Sequence, residues 1–327
     1  MLKAHTIGID NNYHIMKFKN NEWRVMMSRW PEYVQIKEVG PRDGLQNEKK
    51  RVSTGDKVNW INMLSASGVK EIEYSSFVHP KWVPQLSDAH EVGRKIKRKS
   101  DVTYSALVPN MKGLELAFEA GIDGASVFMS ASETHNKKNI NKTISETYPV
   151  LSEVIQEAKQ AGKHVTGYVS TVFDCPYEGI VTPEEVLKVC DKLLEYGVDD
   201  LSLGDTIGTA VPSQVGDLLE VILKHIPQNK IIMHYHDTKG MAIANIMESM
   251  EHGITRFDSS IGGLGGCPYA PGAAGNVATN DVLYLLHGLG IKTGIDEKKL
   301  QEAAFYIQNK LGKTLPSKSL AYAAAQD

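Results

Sequence analysis

Eight short β-rich runs, each followed by a longer stretch of helical pattern, recur along the chain at a spacing of roughly 32 residues, and that rhythm leaves few architectures open. The runs cover residues 34–39, 71–75, 102–108, 124–129, 164–170, 200–203, 231–236 and 256–261. Between them, residues 56–67, 144–161, 183–196 and 214–225 are amphipathic, and Gly68, Gly162 and Gly197 stand where a helix end needs a left-handed residue. Eight parallel strands each followed by a helix close into an α/β fold of the (β/α)8 type, the TIM barrel. The competing arrangement is an open doubly wound sheet, which more often shows a GxGxxG turn after its first strand; Val39-Gly40-Pro41-Arg42 is not one. No Pro/Ser-rich linker splits the repeat, so residues 34–327 read as a single barrel domain. Residues 1–33 read as an extension or short hairpin outside it, and residues from about 294 onward as helical additions packed on the barrel or a neighbouring subunit.

Composition excludes some classes of partner. Thirty-six basic against thirty-nine acidic side chains leave a formal charge of -3, so no global field draws the molecule to nucleic acid or a membrane surface. No apolar run approaches the roughly 20 residues that span a bilayer, and the N-terminus lacks the apolar stretch and cleavage site of a secretory signal. Cys175, Cys190 and Cys267 are odd in number and without CxxC spacing, which points to a reducing compartment, the cytoplasm.

A barrel of this kind assembles its active site at the C-terminal ends of its strands, so chemically loaded residues are expected just after them. The first strand is followed by Arg42 and Asp43: either a salt bridge closing the barrel mouth, or a carboxylate for a metal beside a cation for a developing oxyanion. Glu73, an ionisable group in an otherwise apolar second strand, needs a partner, and Arg42 is the neighbour that suits it. Tyr168 and Cys175 follow strand five, and Asp205 and Thr206 follow strand six. Strand seven carries His234 and His236, two apart and therefore on one face. They are either half of a mixed nitrogen and oxygen metal site or a buried, hydrogen-bonded pair. Residues 262–276 form a loop with five glycines between Gly262 and Gly272, restrained by Pro268 and Pro271 and bearing Cys267. That cysteine is an inert small apolar group or, on a flexible loop beside a cationic site, a proton donor or acceptor.

VGPRDGLQNE (39–48), SFVHPKWVPQ (76–85), KKNIN (137–141), CPYEG (175–179), LSLGDTIG (201–208), HYHDTKG (234–240) and GLGGCPYAPGAAGN (263–276) together resemble 3-hydroxy-3-methylglutaryl-CoA lyase, over residues 34–289. The resemblance implies a barrel metalloenzyme that splits 3-hydroxy-3-methylglutaryl-CoA into acetyl-CoA and acetoacetate with Mg2+ or Mn2+, as in leucine degradation and ketone body formation. It implies metal ligands at Asp43, His234, His236 and Asn276, a catalytic Arg42 with Glu73 beside it, and a loop cysteine at Cys267. Substrate contacts fall on Asn139 and Thr206, and Lys49 matches a lysine associated with coenzyme A phosphates; Tyr168 is a further candidate for the substrate pocket. A homo-oligomer, dimer or higher, is expected.

The chemistry needs the substrate hydroxyl deprotonated and the departing enolate stabilised. Arg42 suits the enolate oxygen, Cys267 the enolate carbon, and Asp43 or Asp205 the hydroxyl proton. Tyr74 and Lys239 depart from the animal pattern and are expected to alter the acyl pocket; Asn280 replaces an acidic residue. The C-terminal tail lacks the cysteine that animal members use in redox control. Relatives on the same scaffold, lyases for other 3-hydroxyacyl-CoA substrates or condensing enzymes of the isopropylmalate synthase type, share the RDG segment and paired histidines but not normally the loop 263–276.

Overall fold

The computed structural model describes residues 30–266 and 275–326, together with the backbone of three strands of the N-terminal extension. Those strands, Ile7–Gly8, Tyr13–Lys17 and Trp23–Met27, pair antiparallel in sequence order as a sheet of their own, a meander where an extension or short hairpin was expected.

The main sheet is a closed parallel barrel. Its strands are β1 Gln35–Glu38, β2 Glu71–Ser76, β3 Thr103–Leu107, β4 Gly124–Ser130, β5 His164–Ser170, β6 Asp200–Asp205, β7 Ile231–Tyr235 and β8 Arg256–Ser259. They pair in sequence order, and β8 closes on β1. The helices are α1 Thr54–Ala66, α2 Ala89–Lys95, α3 Met111–Glu119, α4 Glu133–Ile140, α5 Ile144–Gln160, α6 Pro183–Tyr196, α7 Pro212–Ile222, α8 Ala242–Glu251, α9 Thr279–Gly288, α10 Glu297–Leu311 and α11 Lys318–Ala324. Thr143 with Glu146, and Thr182 with Glu185, form capping boxes that start α5 and α6. Gly197 ends α6 at φ 104°, and Gly68 and Gly162 also take positive φ just past α1 and α5.

Three features differ from the sequence reading. Strand eight stops at Ser259, because Gly262 and Gly263 adopt positive φ and turn Ile261–Gly263 into a 3-10 helix. Strand six runs on to Asp205, so that residue ends a strand instead of following one. Helix α4 is additional; its sequence ETHNKKNI offers no apolar stripe to reveal it. The expected C-terminal additions are α10 and α11. Helix α10 is tied to α1 through Asp56, which accepts from Tyr306 Oη (2.8 Å) and pairs with Lys310 Nζ (2.7 Å). Among the described residues, no helix is long and apolar enough to cross a membrane.

Strand alternation decides which side chains reach the barrel interior. On β2, Glu73 points inward and Tyr74 outward into the helical layer, where its ring abuts Gly93 of α2. Tyr74 therefore does not shape a pocket at the barrel mouth, contrary to expectation. Its hydroxyl is buried without a hydrogen-bond partner among the described residues, and burial pushes its pKa well up. Tyr74→Phe removes an unsatisfied polar group and is expected to raise unfolding free energy by about 1 kcal/mol, read by urea denaturation, with KM unchanged; a loss of stability would show that the hydroxyl has a partner.

Candidate active site

The turn after β1 sets the geometry. Residues Gly40–Gly44 form a single π-helical turn, with the Val39 carbonyl accepting from the amides of Arg42 (3.1 Å), Asp43 (2.8 Å) and Gly44 (3.2 Å). Such turns recur at functional sites because they aim consecutive side chains at one point. Gly44 is required by close approach: a Cβ there would lie 2.7 Å from Ser260 Oγ and 2.9 Å from Leu264 Cβ. Beneath the turn, buried Glu38 binds three segments: Oε1 accepts from the Gly40 and Ile261 amides (both 2.8 Å), and Oε2 from Thr279 Oγ1 (2.7 Å).

Burial pushes the Glu38 carboxyl up to about 7, against the pull of those hydrogen bonds. A carboxyl raised on folding stabilises the fold fully below its ordinary value of 4.5, and that contribution is lost as pH rises through about 7. Glu38→Gln retains an oxygen acceptor for the two amides but cannot ionise. Its stability relative to the unsubstituted protein is expected to improve between pH 5 and pH 8 by up to roughly 3 kcal/mol, followed by denaturant unfolding at each pH; parallel curves would refute the assignment.

Arg42 lies at the mouth, buried, with Nη1 on Asp43 Oδ1 (2.6 Å) and Nε in a short bond to Glu73 Oε2. The Tyr168 hydroxyl donates to the same Glu73 oxygen (3.4 Å), and the Tyr168 ring lies between Arg42 and buried Lys37, each 5.3 Å from its centroid. Lys37 Nζ is 3.1 Å from Glu71 and 4.0 Å from Glu73. Burial alone would lower the Lys37 pKa, but Glu71, Tyr168 and Glu73 hold it well above the usual lysine range. Glu73 is therefore held between two cations, and Arg42 is oriented by two carboxylates.

The paired histidines sit opposite. His234 and His236 share the inward face at the end of β7, ring centroids 5.2 Å apart. His236 forms an isolated bridge with Asn276, which brings the far end of the glycine loop to β7. One ligand atom from each of Asp43, His234 and His236 falls within 4.8 Å of the others. Asn276 Nδ2 donates to Asp43 Oδ2 (2.7 Å) and to the Leu264 carbonyl (3.2 Å). The neck of that loop also demands glycine, since a Cβ on Gly275 would sit 2.4 Å from the Gly265 carbonyl carbon. Burial would raise the Asp43 carboxyl, yet Arg42 and the two histidines hold it far below the carboxylate range.

This donor set fits a hard or borderline divalent cation. Among the described residues, Asn276 Oδ1 and His236 Nδ1 are buried with no hydrogen-bond partner, orphans of the kind that a cation or its water shell satisfies. Charge agrees with the donors. In the network that runs from Lys37 through Arg42 to His234, two cations, Lys37 and Arg42, face four carboxylates, Asp43, Glu71, Glu73 and Asp258. The two charges left over match one divalent ion.

The remaining sequence candidates divide. Asp205 is buried, and both its oxygens accept backbone amides, from Gly208, Thr209 and Ala210 (3.1–3.2 Å); burial pushes its carboxyl up to about 6, despite nearby His236. The Thr206 hydroxyl oxygen accepts the amide of Thr171 (2.7 Å), a buried β-branched residue at φ 58°. Thr206 thus braces the β5–β6 junction. Asn139 is exposed on α4, outside the buried cluster, and Lys239 is exposed after β7. Asn280 accepts the Gly262 amide (2.9 Å) and so ties down the start of the glycine loop. Lys49 is exposed and lines a cleft of about 370 Å³ with Glu48, Lys50, Lys313, Gly265 and Gly266. Cys175 is buried, and Ser132 Oγ donates to its sulfur (2.9 Å). Cys267 lies outside the described residues. The sequence reading missed Lys37, Glu38 and Asp258, all ionisable groups inside β-strands, and the signal that singled out Glu73 applied equally to them.

A family model described as HMGL-like matches residues 33–307. The hydroxymethylglutaryl-CoA lyase of Bacillus subtilis is 54% identical over 291 residues, 89% of this chain and 97% of that protein. A crystal structure of a B. subtilis HMG-CoA lyase superimposes with a TM-score of 0.89 at 53% identity, over 90% of this chain and 99% of that one. An A. baumannii HMG-CoA lyase in complex with coenzyme A and 3-methylmalate, 38% identical, superimposes with a TM-score of 0.85 over 89% of this chain and 95% of that one.

Proposed function

The chain belongs to the HMGL-like family and, within it, to the hydroxymethylglutaryl-CoA lyases, and on that premise we propose that it cleaves 3-hydroxy-3-methylglutaryl-CoA to acetyl-CoA and acetoacetate with a divalent cation, Mg2+ or Mn2+. The observation that carries the metal reading is the convergence of Asp43, His234 and His236 within 4.8 Å beside the orphaned Asn276 Oδ1. These four residues would hold the ion. When bound, it supplies Lewis acidity that lowers the pKa of the substrate hydroxyl and polarises the carbonyl formed from it.

The protein's own groups supply the rest. As the hydroxyl loses its proton, the bond between the carbinol carbon and the thioester α-carbon breaks and its electron pair moves onto the thioester, forming an enolate. Arg42, fixed by Glu73 and Asp43, donates to the enolate oxygen, a contact stronger in the transition state than in the ground state. Cys267 protonates the α-carbon to give acetyl-CoA. Asp43 and Asp205 are the two candidates for the hydroxyl proton: Arg42 and the histidines hold Asp43 ionised, while burial raises the Asp205 carboxyl.

The cleft at Gly265 and Gly266 carries Lys49 and Lys50 beside a Lys313 that is paired with Glu48, and it suits the phosphates of coenzyme A. Tyr168 serves by orienting Glu73, Thr206 by bracing the strand junction, and Asn139 by reaching the substrate from α4. A reducing, cytoplasmic setting accords with the buried free thiols Cys175 and Cys190. A homo-oligomer belongs to the same reading, and sedimentation equilibrium decides it. Purified protein given Mg2+ or Mn2+ with 3-hydroxy-3-methylglutaryl-CoA is expected to release acetyl-CoA; turnover confined to another 3-hydroxyacyl-CoA would reassign the substrate.

A further inference from the structure

Asp258 has no part in the bond-breaking step, yet it is a carboxylate 1% exposed in the barrel interior, on β8. Its Oδ2 lies 3.1 Å from His234 Nδ1 and accepts from Ser202 Oγ at 2.7 Å, while Oδ1 has no hydrogen-bond partner among the described residues. Oδ2 already accepts from Ser202, and taking the imidazole contact in the same way, as an acceptor, places the shared hydrogen on Nδ1. The lone pair of a neutral His234 is then on Nε2, the nitrogen left to join Asp43 and His236. An unanchored imidazole would divide between two tautomers and two ring orientations, of which only one presents that lone pair there.

We propose that Asp258, supported by Ser202, is a positioning residue that locks the tautomer and orientation of His234, so that a divalent cation meets a ready-formed nitrogen ligand. The inference rests on the metal reading of Asp43, His234, His236 and Asn276. Outer carboxylates of this kind affect metal affinity by about 10–100-fold. Asn at this position is the informative replacement, since its amide can donate to Nδ1 and impose the opposite tautomer, with hydrogen on Nε2.

The test uses Mn2+ alone, titrated into the full-length chain without substrate, with free Mn2+ read by electron paramagnetic resonance. Asp258→Asn is expected to bind about 10–100-fold more weakly than the unsubstituted protein. In Mg2+-loaded, 15N-histidine-labelled protein, His234 is expected to show hydrogen on Nδ1, and in Asp258→Asn on Nε2. Ser202→Ala, which removes one hydrogen bond to Asp258 and no charge, is expected to loosen Mn2+ severalfold and decides the matter if Asp258→Asn does not fold. Mn2+ bound normally by the unsubstituted protein and equally well by Asp258→Asn, with the tautomer unchanged, would overturn the positioning role and leave the metal reading intact. No Mn2+ binding by the unsubstituted protein would overturn both.

Discussion

Arg42→Gln is expected to lower kcat by about 10³-fold while Mn2+ affinity changes only a few-fold. The guanidinium is buried at the barrel mouth, bound through Nη1 to Asp43 and through Nε to Glu73, so it is oriented before substrate arrives. A preorganised cation acts on the charge that develops on the thioester oxygen and costs no reorganisation at the moment of reaction. The same change leaves Asp43 and Glu73 without their strongest partner, and a broken buried ion pair costs about 3–5 kcal/mol, so melting temperature should fall as well. Arg42→Lys separates the two effects. A single ammonium restores charge but not the planar fork that reaches two carboxylates at once, so it should recover stability more fully than kcat. Steady-state kinetics beside thermal melts read both; kcat within tenfold of the unsubstituted value in Arg42→Gln would remove Arg42 from the chemistry.

His234→Ala should lose both metal binding and turnover, with Mn2+ affinity reduced by about 100-fold or more, beyond the range expected for outer residues. It removes a nitrogen donor from a rigid strand and strips Asp258 of the imidazole it binds, leaving a buried carboxylate with Ser202 and distant Lys37. Cys267→Ala provides the contrast. Its thiol is proposed for proton delivery alone, so Mn2+ affinity should persist while the rate falls by about 10²–10⁴-fold. Metal titration and turnover measured on both variants separate ligand from proton donor, and unchanged turnover in either would withdraw the role assigned to that residue.

Much of this molecule can be read from its residues in order. The alternation of β-rich and amphipathic runs gives the barrel, because a parallel strand needs a crossover helix and eight such units close on themselves. Asp43, His234 and His236 stand out because each follows or ends a strand, where the fold collects function, whereas Asn276 joins them only through the resemblance to the lyase family. Tyr74 shows the opposite case. It neighbours Glu73 in sequence, but the two-residue period of the strand sends it to the helical layer, away from any ligand. Thr206 shows another, since its hydroxyl turns to the Thr171 amide across two strands that are far apart in sequence.

Periodicity and turn chemistry are local properties, so the fold class and the ionisable residues that stand at strand ends are legible in the order of residues alone. Only the tertiary structure decided the partnerships. Lys37 under Glu73, Glu38 joining three segments, and Asp258 behind His234 are contacts between strands that meet when the barrel closes. A buried charge is tolerable only with a partner, and which partner it receives depends on strand register and inward alternation around a ring that no single stretch of chain contains.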